Sequence, residues 1–265
     1  MYDFSYHRAQ SVADASSKLK AADDGKLVAG GMTLIPTLKQ RLAQPSDLVD
    51  LAELKDLVGI KADGSSVTIG AMTTHGAVAA SKDVQSAIPA LAHLANEIGD
   101  PQVRHRGTIG GSIANNDPAA DYPAGCVGLG AVIVTSKREI PADDFFRGLF
   151  ETALEEDEII TAVRFPKAKR AGYMKFPNPA SRYALVGVFV AETGSGVRVA
   201  VTGAGQDGVF RVKAMEDALA KSFTPDAVAS ISVPSDDLNS DIHASAEYRA
   251  HLITVMAKRA VAAAK

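Results

Sequence analysis

Two widely separated double-glycine segments constrain this chain most: Ala29-Gly30-Gly31-Met32-Thr33-Leu34 and Thr108-Ile109-Gly110-Gly111-Ser112-Ile113. Each follows or interrupts a run with strand character. Consecutive glycines allow a sharp turn, admit close approach, and leave several backbone N–H groups free to converge on an anion. Thr33 and Ser112 each add a hydroxyl. Two such segments far apart in sequence fit one diphosphate held from two sides. The second runs on into Asn115-Asn116-Asp117-Pro118-Ala119-Ala120-Asp121, which supplies carboxylates suited to ribose hydroxyls. The expected site is therefore one for a dinucleotide, specifically a flavin.

Composition excludes several other classes. A chain of 265 residues is long enough for one large or two modest domains with their own cores. A net charge of −3 and the absence of a basic run argue against a nucleic-acid surface. No stretch reaches the roughly 18 consecutive apolar residues that a membrane helix needs. Met1-Tyr2-Asp3-Phe4-Ser5-Tyr6-His7-Arg8 lacks the apolar core of a signal peptide, so a cytoplasmic location is expected. Cys126 is the single cysteine, so neither an intrachain disulfide nor a four-thiolate cluster is available. It is expected to be buried. The six histidines include no His-x-x-x-His pair, and no metal site is expected.

The predicted elements alternate in type. Helices are expected at 11–21, near 35–42 from Pro36, from Thr73 or Thr74 to about 81, at 89–98 and around 124–130. Gly99 and Pro101 are expected to close the fourth of these. Strands are expected at 26–29, 47–51, 67–70, 131–135 and 158–165. Pro166-Lys167-Ala168-Lys169-Arg170-Ala171-Gly172 shifts toward basic, flexible composition and marks a domain boundary. Beyond it, strands at 173–176, 184–191 and 197–202 precede helices at about 213–220, 225–231 and 245–264. The last two strands form a hairpin through Gly194-Ser195-Gly196. The expected fold class is α+β.

In the second segment, Arg104 and Arg106 stand just before the glycines, where they could balance phosphate charge. Asp117 is equally well read as the cap of a helix beginning near Pro118. Gly203-Ala204-Gly205-Gln206-Asp207-Gly208 matches the nicotinamide-dinucleotide fingerprint. That fingerprint must open a helix within a βαβ unit, whereas Val209-Phe210-Arg211-Val212 reads as extended, so a turn is expected. No nucleophile triad is evident.

These residues carry a family resemblance over essentially the whole length. The motifs are Ala29 to Pro36, Ile69-Gly70-Ala71-Met72-Thr73-Thr74-His75, Arg104 to Ser112, Asp117 to Pro123, and Tyr173-Met174-Lys175-Phe176. In order and spacing the chain resembles the flavin-binding medium subunit of molybdenum hydroxylases, such as aerobic carbon monoxide dehydrogenase. The same module forms the middle part of xanthine dehydrogenase. The resemblance implies a two-lobed FAD-binding domain of the PCMH type at residues 1–170, with lobes of about 1–55 and 56–170. A small antiparallel sheet with a helical layer follows at 171–265.

The resemblance also implies site roles. Ala29, Gly30, Gly31, Thr33 and Leu34 would act on the FAD diphosphate from one side, and Thr108, Gly110, Gly111 and Ser112 from the other. Met32, where many relatives have His or Gln, and Thr74 join the cofactor set. Asp121 falls on the ribose-binding acid and Leu154 on an apolar position beside the adenine or flavin. Lys175 falls on a lysine near the flavin edge and Tyr183 on the aromatic residue at the ring face.

The implied role is electron transfer. A large partner chain would hold the molybdenum cofactor and a small one [2Fe-2S] clusters, in a dimer of heterotrimers, and electrons would leave to an external acceptor. Two other readings compete: a stand-alone FAD-dependent oxidoreductase of the same fold, and a scaffold whose glycine segments are only turns.

Overall fold

The computed structural model describes residues 1–265. Its first part is a small parallel sheet. Strand β1 (Ser5–Arg8), helix α1 (Val12–Ala21), strand β2 (Gly25–Val28), helix α2 (Leu34–Lys39) and strand β3 (Asp47–Asp50) follow in turn. The strands order as β1-β3-β2, with β3 parallel to both neighbours. The Ser11 side chain caps α1 by accepting from the Asp14 N–H. The core of this part is built on Ala15, Leu19, Val49 and Leu51, and it includes Ile159 from far along the chain.

The second part opens with a 3₁₀ turn (Lys55–Leu57) and strands β4 (Ile60–Ala62) and β5 (Ser66–Gly70). Six helices follow: α3 (His75–Ala80), α4 (Lys82–Ala87), α5 (Pro89–Asn96), α6 (Pro101–Arg106), α7 (Ile109–Asn115) and α8 (Tyr122–Leu129). Strands β6 (Val132–Thr135) and β7 (Glu139–Pro141), helix α9 (Ala142–Phe145), the hairpin β8 (Phe146–Gly148) with β9 (Glu151–Thr152), and β10 (Ile160–Pro166) complete it. The five-stranded sheet orders as β4-β5-β10-β6-β7 and its pairs are antiparallel.

Several of these helices differ from expectation. The fourth expected helix ends earlier, at Asn96 with Glu97 as its C-cap; Gly99, at φ +47°, lies in the turn beyond it, and Pro101 opens α6 instead of blocking continuation. Asp100 is its N-cap and accepts from the Val103 N–H, so proline occupies the first turn, where a missing N–H costs nothing. The second glycine segment is a helix start: Thr108 caps α7, and Gly110 and Gly111 lie in its first turn. No helix begins near Pro118. Asp117 instead accepts from the Ala119 N–H in a local turn, and α8 starts after Asp121.

The third part is a four-stranded antiparallel sheet of β11 (Arg170–Pro177), β12 (Ala184–Thr193), β13 (Gly196–Gly205) and β14 (Gly208–Arg211). Helices α10 (Lys213–Lys221), α11 (Pro225–Val228) and α12 (Ala246–Ala263) follow. Gly203–Gly208 forms the β13–β14 turn, as expected from the extended residues after it. The sheet is covered on both faces. Val186, Val188, Val190, Val199 and Val201 face α10 and α12, while Tyr173, Phe189, Ala191 and Ala200 join the largest core with α5 and α8. Burial on both sides explains the nearly unbroken apolar run of β12. The Arg170–Pro177 strand therefore brings its Tyr173 face directly beneath the residues around Asp121.

Candidate functional site

A cleft of about 500 Å³ lies where the three sheets meet. Ala29, Gly30, Gly31, Met32, Thr33 and Leu34 line it from the β2–α2 connection. Thr108, Gly110, Gly111 and Ser112 line it from the start of α7. Asp121, Leu154 and Tyr183 complete the expected set on its walls. Two expected residues stand elsewhere. Thr74 caps α3, accepting from the Ala77 N–H. The Lys175 ammonium lies behind the wall, its side chain 2% exposed, donating to the Glu97 carbonyl and to Asp121.

The two glycine segments meet, but they present different chemistry. In the first, the backbone N–H groups of residues 29 to 33 donate to no acceptor within the chain. The carbonyls of Gly31 and Thr33 accept from Ile35 and Thr37, so the segment directs its acceptors into α2 and leaves its donors unengaged. Gly31, at φ +74°, occupies the left-handed region that makes this reversal possible. In the second segment every donor at 109–112 is engaged. Ile109 donates to Thr73, Gly110 to Ala71, Ser112 to the Thr108 carbonyl, and Gly111 to the Thr108 hydroxyl. The expectation of bare N–H groups on both sides therefore holds only for the first.

The glycines of the second segment serve close packing. A Cβ at Gly110 would stand 2.7 Å from the Ala71 Cβ and 2.8 Å from its carbonyl oxygen. A Cβ at Gly30 would stand 2.0 Å from the Arg106 carbonyl oxygen, and one at Gly111 would reach the Ala29 Cβ at 3.5 Å. These contacts bring the free donors against the α6–α7 corner. The arginines expected to balance phosphate charge do not line the cleft. Arg104 donates to the carbonyls of Ile98 and Gly99, and Arg106 is exposed.

Asp121 is held from two sides. The Thr202 hydroxyl donates to the carbonyls of Pro118 and Ala120, and the Gly203 N–H donates to Pro118, which fixes the 118–121 segment on β13. The carboxylate itself accepts from the Tyr173 hydroxyl at 2.5 Å and from Lys175 at 3.0 Å. Burial pushes the Asp121 carboxyl above its usual range, opposed by the Lys175 ammonium and the Tyr173 hydroxyl. Burial likewise raises the Asp117 carboxyl on the cleft wall. At Tyr183, burial and the charge of Asp117 raise the phenol while Thr33 opposes them.

Sequence reasoning passed over two residues. His75 lines the cleft at 4% exposure, its ring 5.4 Å from that of Tyr122. Its place directly after Thr74 in a quoted motif was the available signal. Tyr173 stands two residues from Lys175, a spacing that puts both side chains on one face of a strand and was the available signal.

The residues fit a flavin dinucleotide. Five unengaged backbone donors suit a diphosphate, an ion-paired carboxylate suits ligand O–H or N–H donors, and Leu27, Leu34, Met72, Ile98 and Leu154 give the walls apolar area. No group of His, Cys, Asp and Glu is placed to hold a metal ion.

Comparison with known proteins agrees. Residues 2–168 match the family described as the FAD binding domain in molybdopterin dehydrogenase. The chain is 38% identical to the carbon monoxide dehydrogenase medium chain of Hydrogenophaga pseudoflava, covering 98% of this chain and 96% of that one. It is 36% identical to the nicotine 6-hydroxylase medium subunit of Paenarthrobacter nicotinovorans, covering 97% and 95%. Among solved structures, carbon monoxide dehydrogenase from Hydrogenophaga pseudoflava superposes with a TM-score of 0.88 at 37% identity, over 99% of this chain and 97% of that one. Quinoline 2-oxidoreductase from Pseudomonas putida 86 gives 0.88 at 27% identity, over 98% and 96%. By family match, near-complete coverage and shared fold, this chain belongs to the FAD-binding medium subunits of the molybdenum hydroxylases, as a subunit of an oxidoreductase.

Proposed function

We propose that the cleft holds FAD between the two glycine segments, and that the subunit passes electrons from iron–sulfur clusters on a partner chain to an external acceptor. The observation that carries this reading is the run of five unengaged donors at 29–33 on the cleft wall. Those N–H groups would hold the diphosphate, and Asp121 would accept from the ribose. Leu154 and Tyr183 would lie against the rings. FAD, when bound, supplies electron transfer in one- or two-electron steps. The chain positions the cofactor and shields it on the Leu154 wall.

The clusters and the molybdenum cofactor belong to other subunits in this reading, in an assembly of two heterotrimers in the cytoplasm. The only thiol, Cys126, is buried and pushed far above its usual range, so it offers no cluster ligand. No helix is long and apolar enough to cross a membrane. Relatives named for carbon monoxide, nicotine and glyceraldehyde match this chain at 38%, 36% and 34% identity. Such varied substrates on one scaffold support substrate selection on a different chain.

The test is the visible spectrum of the protein purified from its native host. A flavin band, about one FAD released per chain, and co-purification of a cluster-bearing chain are expected. A colourless chain that also takes up no added FAD would overturn the proposal.

A further inference from the structure

Asp121 reaches the cleft from a wall that the sheet behind it has shaped. Strand β11 alternates: Met174 and Phe176 pack on the α12 side, while Tyr173 and Lys175 turn toward α5 and α8. The Tyr173 hydroxyl donates to Asp121 Oδ1 at 2.5 Å. The Lys175 ammonium has three N–H groups, and it stands 2.9 Å from the Glu97 carbonyl and 3.0 Å from each Asp121 oxygen. It donates to the Glu97 carbonyl and to Asp121 Oδ2, pairs with both carboxylate oxygens, and its side chain does not line the cleft.

A third residue makes room for this arrangement. Gly187 faces Lys175 across the β11–β12 pair, and a Cβ there would stand 2.5 Å from the Tyr173 hydroxyl oxygen. Any other residue would displace the phenol from its line to Asp121.

We propose that Tyr173 and Lys175 are positioning residues that fix the Asp121 carboxylate as an acceptor for an O–H or N–H donor of the bound FAD. The proposal rests on the FAD reading of the cleft. It gives Lys175 a role exerted through Asp121, in place of direct contact with the flavin. Burial holds the Tyr173 phenol well above its ordinary range, so it remains a donor. The other titratable groups facing Asp121 are Glu97 after α5, Tyr122 on α8, and the Tyr183 phenol. None of them is a cation, so Lys175 is the sole positive charge at this carboxylate.

The experiment is FAD binding to the deflavinated full-length chain, followed by quenching of FAD fluorescence between about pH 6 and pH 9. The wild type is expected to bind with little pH dependence. Lys175→Met leaves a buried carboxyl without its cation, so it is expected to bind about tenfold or more weaker at the acid end and to recover toward the alkaline end. Tyr173→Phe and Gly187→Ala keep the charge pair and are expected to weaken binding about three- to tenfold. In an Asp121→Asn background, Tyr173→Phe should add less than about twofold, because the acceptor it serves is gone.

A pH-independent loss in Lys175→Met would overturn the proposal. So would an undiminished effect of Tyr173→Phe beside Asn at position 121. If Lys175→Met does not fold, the Tyr173→Phe and Gly187→Ala results decide alone. A wild-type chain that takes up no FAD would overturn the cleft reading itself, and the positioning role with it.

Discussion

His75 shows how one residue ties the cleft to stability. Its ring is buried beside Tyr122, its Nδ1 meets no partner, and burial with the nearby Arg104 charge lowers its pKa to about 4. The neutral form is therefore the folded form. An unfolded chain would bind a proton near the ordinary value of about 6.5, so protonation favours unfolding. The contribution is fully present above pH 6.5 and is lost as pH falls toward about 4, up to an upper bound of about 3 kcal/mol. His75→Gln should flatten this slope, which urea midpoints at neutral and mildly acid pH would show. An unchanged slope would place the acid sensitivity elsewhere. Nothing in the spacing of histidines along the chain marks His75 out. Its environment comes from Tyr122 and Gly107, both distant in sequence.

At the level of elements, the glycine pairs separate what the sequence carried from what it did not. The first pair reads as a sharp turn with free donors, and the positive φ of Gly31 is a local requirement that local sequence expresses. The second pair looks alike in one dimension yet is a helix start with engaged donors. The reason lies in the carbonyls of Ala71 and Thr73, which accept from Gly110 and Ile109 only once the α3 entry folds beside α7. Helix α6 is hard to read for a nearer reason: Pro101 alone reads as a stop, although Asp100-Pro101 is a good start. Helix α4 was hidden because Ser81 ends one helix and caps the next. Gly30→Ala tests the contact between the two elements. Its Cβ would press on the Arg106 carbonyl oxygen at 2.0 Å. Retained FAD per purified chain should fall about tenfold or more while the far-ultraviolet spectrum is kept; full occupancy would show that the contact can open without cost to binding.

Across the whole molecule, the third sheet couples the site to the C-terminal helix. The strands and the β13–β14 turn were legible from alternating and apolar runs, but the covering of both faces was not, since it depends on α5 and α8 packing from another part of the chain. Gly172 sits at the α12 contact, where a Cβ would stand 2.0 Å from the Ala260 carbonyl oxygen. Gly172→Ala should push α12 from β11 and lower stability by about 2 kcal/mol, read from the urea midpoint. Because Tyr173 is the next residue, FAD affinity should fall with it. A stable variant with unchanged affinity would show that the helix shifts without moving the strand.

The run of unengaged donors at 29–33 belongs to the main chain, and this shapes what heredity can preserve there. Side chains such as Met32 can drift between lineages without altering the surface offered to a ligand, so long as the path of the backbone survives. A survey that truncates side chains one by one would pass over this segment. Proline, which removes a donor, or bulk at Gly30 and Gly31, where a Cβ meets neighbouring atoms at 2.0 Å and 2.9 Å, would expose it.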